Sequence, residues 1–162
     1  MKVHVQKIGS VAYRLGFEKE VEVTRKLESR AGNTIVVRAL TEKRVYSELE
    51  LENGRMSKIF TGDVILGALG KRRALRGFSG EVPARLRAGD VVQLLNKGGV
   101  IGASSSDHKD LGQPVSCEVI GMPVRGGAIV RLADASLPEV KSLAGLVLPP
   151  VVVVSATCME AG

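Results

Sequence analysis

The sequence predicts a mostly β protein built as a small antiparallel barrel, and three observations carry that expectation. Short strand-like runs follow one another closely, each punctuated by glycine. One pair of alternating segments is joined by Asn53-Gly54, a dipeptide suited to a tight hairpin. Aromatic residues make up only 3% of the 162 residues, with no Trp, so the core must be assembled from Val, Leu, Ile and Ala. With 44% hydrophobic and 25% charged residues, the chain has the composition of a globular protein, long enough for one domain or one domain and a fragment.

Val3, Val5 and Ile8 open in near alternation before Gly9 and Gly16 interrupt. Val21 and Val23 alternate with Glu20, Glu22 and Thr24, the pattern of a strand with one wet face. Arg25 to Arg30 is read as a short helix ending at Gly32-Asn33. Thr34-Ile35-Val36-Val37 is β-branched or apolar throughout, as a strand covered on both faces would be. From Tyr46 to Phe60 the chain is read as a hairpin in which Glu48, Glu50 and Glu52 alternate with Leu49 and Leu51. Asn53 and Gly54 supply the two positive-φ residues of a type I′ turn. That register sets Glu52 against Arg55 and Leu51 against Met56, and it requires a bulge near Ser57 to return Ile59 to the apolar face. Pro83 marks a turn into Arg85-Leu86-Arg87. Asn96 to Gly102 is a glycine-rich bend leading into a strand, and Ser104 to Gln113 is a polar loop. Val115 to Gly121 and Ala128 to Leu132 are strands joined around Pro123 to Gly127. Gly67, Gly70, Gly98 and Gly99 are read as relieving tight bends rather than admitting a ligand.

Thr61-Gly62-Asp63-Val64-Ile65-Leu66 is echoed 27 residues later by Ala88-Gly89-Asp90-Val91-Val92-Gln93. In each, Gly-Asp turns the chain into a β-branched pair, and the carboxylate is placed to cap backbone donors of the turn. The pair resembles the GD box of the cradle-loop β-barrels, in which two such elements are related by pseudo-symmetry. The resemblance implies a barrel of that type.

The carboxy terminus has a different character. Pro149-Pro150 precedes Val151-Val152-Val153-Val154, an unbroken run suited to a strand buried on both faces of a parallel sheet. Together with Ser155-Ala156-Thr157-Cys158-Met159-Glu160-Ala161-Gly162 it resembles the first strand and loop of dethiobiotin-synthetase-like P-loop proteins. By that resemblance Ala156, Thr157, Glu160, Ala161 and Gly162 are phosphate-binding positions, with Ala156 departing from the family's glycine. The Lys and Ser/Thr that complete such a loop do not follow, and without them nothing neutralises the β/γ-phosphates or holds Mg²⁺. The body also resembles the amino-terminal region of an uncharacterised group of P-loop proteins in which a β-domain precedes the NTPase domain. Glu42-Lys43 with Tyr46, Leu49-Glu50-Leu51 with Gly54-Arg55-Met56, Gly62-Asp63-Val64-Ile65 with Gly67-Ala68-Leu69-Gly70, and Leu94-Leu95-Asn96 with Gly98-Gly99-Val100-Ile101-Gly102 carry that likeness.

The net charge of +6 is uneven: residues 1–100 are about +8 and the remainder about −2. Lys71, Arg72, Arg73 and Arg76, with Arg85 and Arg87 nearby, have Glu81 as their sole acid over seventeen residues. If they converge they form an anion site, and otherwise a solvated turn whose Arg stems cover apolar edges. The scarcity of aromatics argues against single-stranded nucleic acid held by base stacking. Cys117 and Cys158 cannot form a disulfide scaffold and, with His4 and His108, lack the spacing of metal ligands. Cys117 reads as a core residue and His108 as a solvated loop residue, so no catalytic residue is assigned.

These readings divide the chain into a β-barrel domain (1–137), a linker (138–150), and the first strand and partial phosphate loop of an α/β domain that continues beyond it (151–162). The function expected is that of a non-catalytic binding or regulatory domain in a larger ATP- or nucleotide-binding protein. It needs no cofactor of its own, since ATP and Mg²⁺ would belong to the parent chain. Its partner would be the P-loop domain, and a homo-oligomer is compatible with the sequence. Two alternatives stay open: a stand-alone basic nucleic-acid-binding module, and an enzyme acting on a small anion near Arg72 and His108. The amino terminus lacks a signal-peptide run and no apolar stretch reaches the ~20 residues of a membrane span, so a cytoplasmic location is expected.

Overall fold

The computed structural model describes residues 1–74, 77–106 and 110–139, together with 142, 145, 149, 150 and 152. The strands among them are β1 (Lys2–His4), β2 (Lys7–Ile8), β3 (Glu20–Thr24), β4 (Thr34–Ala39), β5 (Glu48–Glu50), β6 (Met56–Lys58), β7 (Val64–Leu69), β8 (Gly80–Glu81), β9 (Val91–Leu94), β10 (Val100–Ser104), β11 (Ser116–Arg125) and β12 (Ala128–Ile129). Two 3-10 helices, Ser10–Leu15 and Leu132–Ala135, were not legible in the periodicity. Arg25 to Arg30, expected as a helix, forms none. Thr24 Oγ1 accepts the Lys26 N–H at 3.1 Å and turns the chain out of β3 instead. The strand and phosphate-loop positions expected at 151–162, including Ala156, Thr157, Glu160, Ala161 and Gly162, lie outside the described residues except for Val152.

The main sheet runs β1-β3-β11-β4-β7-β10-β8, with β12 on β11, β2 on β7, and β9 paired with both β10 and β11. It is a mixed sheet with partly parallel strands, and the small antiparallel barrel expected from the sequence is not what forms. Two ladders overturn that expectation: β2 lies parallel to β7 at Lys7↔Ile65 and Ile8↔Leu66, and β10 lies parallel to β7 at Val100↔Ala68 and Ile101↔Leu69. Close strand spacing favours hairpin neighbours, but these partners are brought together from distant parts of the chain.

The two parallel neighbours share one edge of β7 end to end, and glycine makes the changeover fit. The Gly9 N–H donates to Leu66 O, the Val11 N–H to Gly98 O, and the Ala68 N–H to Gly99 O. A Cβ on Gly67 would stand 2.3 Å from Gly99 O, and one on Gly9 would stand 2.7 Å from Gly98 O. Only backbones without side chains can cross so closely. These glycines therefore do admit a close backbone approach, but to neighbouring strands.

Burial follows from this stacking. Ile35 and Val37 of β4 and Ile65 and Leu69 of β7 join Leu49, Ile59, Ile101 and Val119 in one apolar cluster. Val36, Val64 and Leu66 face the other way, against Val5, Ile8, Ala12, Leu15, Val21 and Val23. The β-branched run at 34–37 is thus covered on both faces, as its composition predicts, while β3 keeps its glutamates exposed and its valines buried.

The hairpin of β5 and β6 forms in a register one residue away from the expected one: Glu48↔Lys58, Leu49↔Ser57 and Glu50↔Met56. The Leu51 N–H donates to Arg55 O at 2.8 Å, which leaves a three-residue loop in place of a two-residue type I′ turn. Gly54 alone takes a positive φ, 79°, while Asn53 Oδ1 accepts the Arg55 N–H at 3.1 Å. The longer loop brings Leu49 and Ile59 to one face, so the bulge expected near Ser57 is not needed.

The Gly-Asp echo is built alike in both places. Asp63 Oδ2 accepts the Phe60 N–H at 2.7 Å, and Asp90 Oδ2 accepts the Arg87 N–H at 2.7 Å. Gly62 and Gly89 have φ of 94° and 92° and donate to Ala39 O and Val119 O, each at 2.8 Å. No helix among the described residues is long and apolar enough to cross a membrane.

Replacing Gly67 by Ala places a methyl group inside backbone contact distance of Gly99, where neither ladder can yield. Gly67→Ala is expected to destabilise the fold by ~3 kcal/mol, the upper end of overpacking costs, read as a lowered urea midpoint. Gly54→Ala, in open space, should cost less, through its positive φ alone.

Candidate functional site

Among the described residues of the basic run singled out in the sequence, Lys71, Arg72 and Arg73 are turned to separate uses. Lys71 Nζ lies 2.9 Å from Glu81 Oε2 at the surface. Arg72 forms an isolated bridge with Gly80 and points its guanidinium inward, where Nη1 donates to Phe78 O and Leu95 O. It acts as a clamp between the 71–80 loop and the end of β9. Arg73, Arg85 and Arg87 are exposed, and Arg76 lies outside the described residues. His108, which the enzymatic reading sets near Arg72, lies outside them too.

A cavity of about 520 Å³ opens between the turn after β3 and the β11–β12 hairpin. On one side the Thr24 turn projects Lys26, Leu27 and Glu28, and on the other Gly127, Ala128, Ile129, Arg131 and Asp134 close the wall. Gly126 and Gly127, at φ 58° and 82°, make the tight turn that brings β12 back along β11. Asn33 is fully buried behind this site. Its Nδ2 donates to Glu28 O at 3.0 Å and its backbone pairs with Arg131 in an antiparallel bridge, which ties the two walls together. The Glu28 N–H reaches Met122 Sδ at 3.4 Å.

Charge in the cavity is balanced. Arg131 Nη2 lies 3.3 Å from Glu28 Oε2, and Asp134 Oδ2 accepts the Arg131 N–H at 2.8 Å. Leu27 and Ile129 give the wall an apolar part and pack against the main core. Two complementary polar atoms on facing residues, Arg131 Nε and Asn33 Oδ1, are buried without a hydrogen-bond partner. Native interiors rarely leave such groups unpaired, and they concentrate where something besides stability is served. Sequence reading missed these residues because Lys26 and Glu28 were assigned to a helix and Arg131 and Asp134 lie more than a hundred residues further on.

A smaller cavity of about 310 Å³ is lined by Gln93, Ser104, Ser105, Ser106, Gln113 and Ser116. Its groups are neutral and partly committed to one another, as where the Ser104 N–H donates to Gln93 Oε1 at 2.9 Å.

Nucleophile and metal chemistry gain little here. Cys117 is buried in the core, and burial pushes its thiol up from 9.0 to about 12. His4 Nδ1 lies 2.6 Å from Glu20 Oε1 at an exposed site. No group of three or more His, Cys, Asp or Glu side chains converges among the described residues.

No family model matches the chain, and no curated protein or solved structure is significantly similar to it. No P-loop or nucleotide-binding motif is found, which corrects the expectation of a P-loop, nucleotide- and ATP-binding protein. The likeness at 151–162 rested on a loop without its Lys and Ser/Thr, and Val-rich strands with small-residue ends are common outside that family.

Removing the Arg72 clamp strands two partly buried carbonyls. Arg72→Ala is expected to lose about 2 kcal/mol in urea unfolding, whereas Lys71→Ala should change stability by less than about 1 kcal/mol. In a Cys158→Ser background, Cys117 should stay unreactive toward thiol reagents until the protein unfolds. An unfolded thiol ionises near 9.0 while the folded one ionises near about 12. The Cys117 contribution to stability is therefore intact below pH 9.0 and is lost as pH rises toward about 12, a slope that Cys117→Ala should flatten in urea titrations.

Proposed function

We propose that this chain is a non-catalytic binding domain whose ligand sits in the mixed-charge cavity between the 24–28 turn and the β11–β12 hairpin. The observation that carries the reading is the cavity itself: about 520 Å³, within the size range of small-molecule sites, with convergent polar groups over an apolar floor. Its walls come from distant parts of the sequence and are joined through the buried Asn33, so the site is held by the fold. The inert environment of Cys117 supports a binding role over nucleophilic catalysis.

A competing reading, a basic nucleic-acid module, draws on a different place. Arg25 and Arg38 line a cavity of about 280 Å³ beside Gly89 of the second Gly-Asp turn, with Glu118 as the acid 3.6 Å from Arg38. Arg25 has no ion pair there. The mixed-charge cavity is favoured because it is larger and joins two walls from distant parts of the chain.

Two-dimensional amide NMR of the full chain, titrated with small acids, amines, amino acids and sugars, tests the proposal. Shifts should concentrate at Thr24 to Glu28 and Gly127 to Arg131, and Ala128→Trp, which fills the cavity from an exposed position, should abolish them. Scattered shifts, or shifts that survive Ala128→Trp, would overturn the reading. So would duplex DNA binding centred on Arg25 and Arg38 that weakens steeply between roughly 50 and 200 mM salt.

A further inference from the structure

Resting on the binding-site reading above, we infer that the cavity takes a small zwitterion: a free α-amino acid with an apolar side chain, or the equivalent dipeptide. The inference comes from which charges the fold has already satisfied. Four ionic side chains face the cavity, Lys26 and Arg131 against Glu28 and Asp134, so their formal charges cancel. Their mutual bonding is incomplete. Arg131 makes one contact to a carboxylate oxygen, Glu28 Oε2, through Nη2. Asp134 has one oxygen engaged, by the Arg131 backbone N–H. Lys26 is exposed and its ammonium has no hydrogen bond or ion pair, while its own N–H is held by Thr24.

A cation and two partly engaged carboxylates are thus left facing one open cleft. A simple anion would be attracted by Lys26 and repelled by Glu28 and Asp134, and a simple cation would meet the reverse. A neutral apolar molecule would dehydrate charged groups without replacing their water contacts. A ligand carrying both signs a few bonds apart suits every wall. Its carboxylate sits at Lys26 and the remaining Arg131 donors, its ammonium sits at the free oxygens of Asp134 and Glu28, and its side chain lies on Leu27 and Ile129. Charge-assisted hydrogen bonds at both ends give orientation as well as affinity.

The test uses leucine and two relatives that each lack one charge, leucinamide and N-acetylleucine, in calorimetry and amide NMR with the full chain. Leucine should bind at least tenfold more tightly than either relative and shift the amides of residues 24–28 and 127–134. Lys26→Ala should weaken leucine about tenfold and leave leucinamide unchanged, and Glu28→Gln should weaken leucine and leave N-acetylleucine unchanged. Both are exposed positions, so loss of fold does not confound the comparison. If either singly charged relative binds as tightly as leucine, the zwitterion inference fails while the cavity remains the site. If leucine leaves the cavity amides unmoved, the inference fails as well. The binding reading fails with it only when every class in the wider panel also leaves them unmoved.

Discussion

The backbone contact between Gly67 and Gly99 is the constraint on which the rest of the structure depends. Along one edge of β7, the end of β2 gives way to the start of β10, and the three chains pass where any side chain would collide. Once that crossing is made, β7 has β4 on its other edge, and both of its faces are committed to apolar contact. The interior then needs little aromatic bulk beyond the buried Phe78. Val, Ile and Leu on β4 and β7 serve two clusters at once by alternation, which is how a chain with 3% aromatic residues can still bury two contiguous cores.

What could be read from the sequence was whatever is encoded locally. The alternation of β3, the doubly buried run of β4 and the capping by Asp63 and Asp90 each depend on residues within one turn or strand. Each leaves a pattern in a short window. The hairpin at Asn53-Gly54 was legible as a hairpin but not in its register. Two- and three-residue loops share the same dipeptide, and the choice between them is made by which register buries Leu49 and Ile59 together. Parallel pairing left no such signature. The glycines that permit it look the same in a sequence as glycines that relieve a bend, and their partners are some thirty to sixty residues away.

The same physics explains why the conspicuous charges and the candidate site did not coincide. A run such as Lys71-Arg72-Arg73 stands out because like charges are adjacent, yet the fold disperses it: one cation pairs with Glu81, one turns inward to carbonyl oxygens, and one faces solvent. A cavity whose charges sum to zero is silent in any count of Lys and Arg against Asp and Glu. Lys26 and Glu28 cancel within three residues, and so do Arg131 and Asp134 within four. Unlike charges brought together from opposite ends of a chain become visible only when the tertiary structure places them on facing walls.

This distinction has a consequence for how the protein's excess positive charge acts. A net charge of +6 creates a field that reaches about one Debye length, roughly 8 Å at physiological ionic strength, and that field favours anions over the surface as a whole. Inside a cavity whose formal charges cancel, the field of the body adds little to short-range contacts with Lys26, Arg131, Glu28 and Asp134. Surface and cavity therefore select by different rules. The surface selects by total charge, with strong dependence on ionic strength. A zwitterion in the proposed site would be chosen by the separation and order of its two opposite charges, which depends on keeping the Asn33 bridge between the walls.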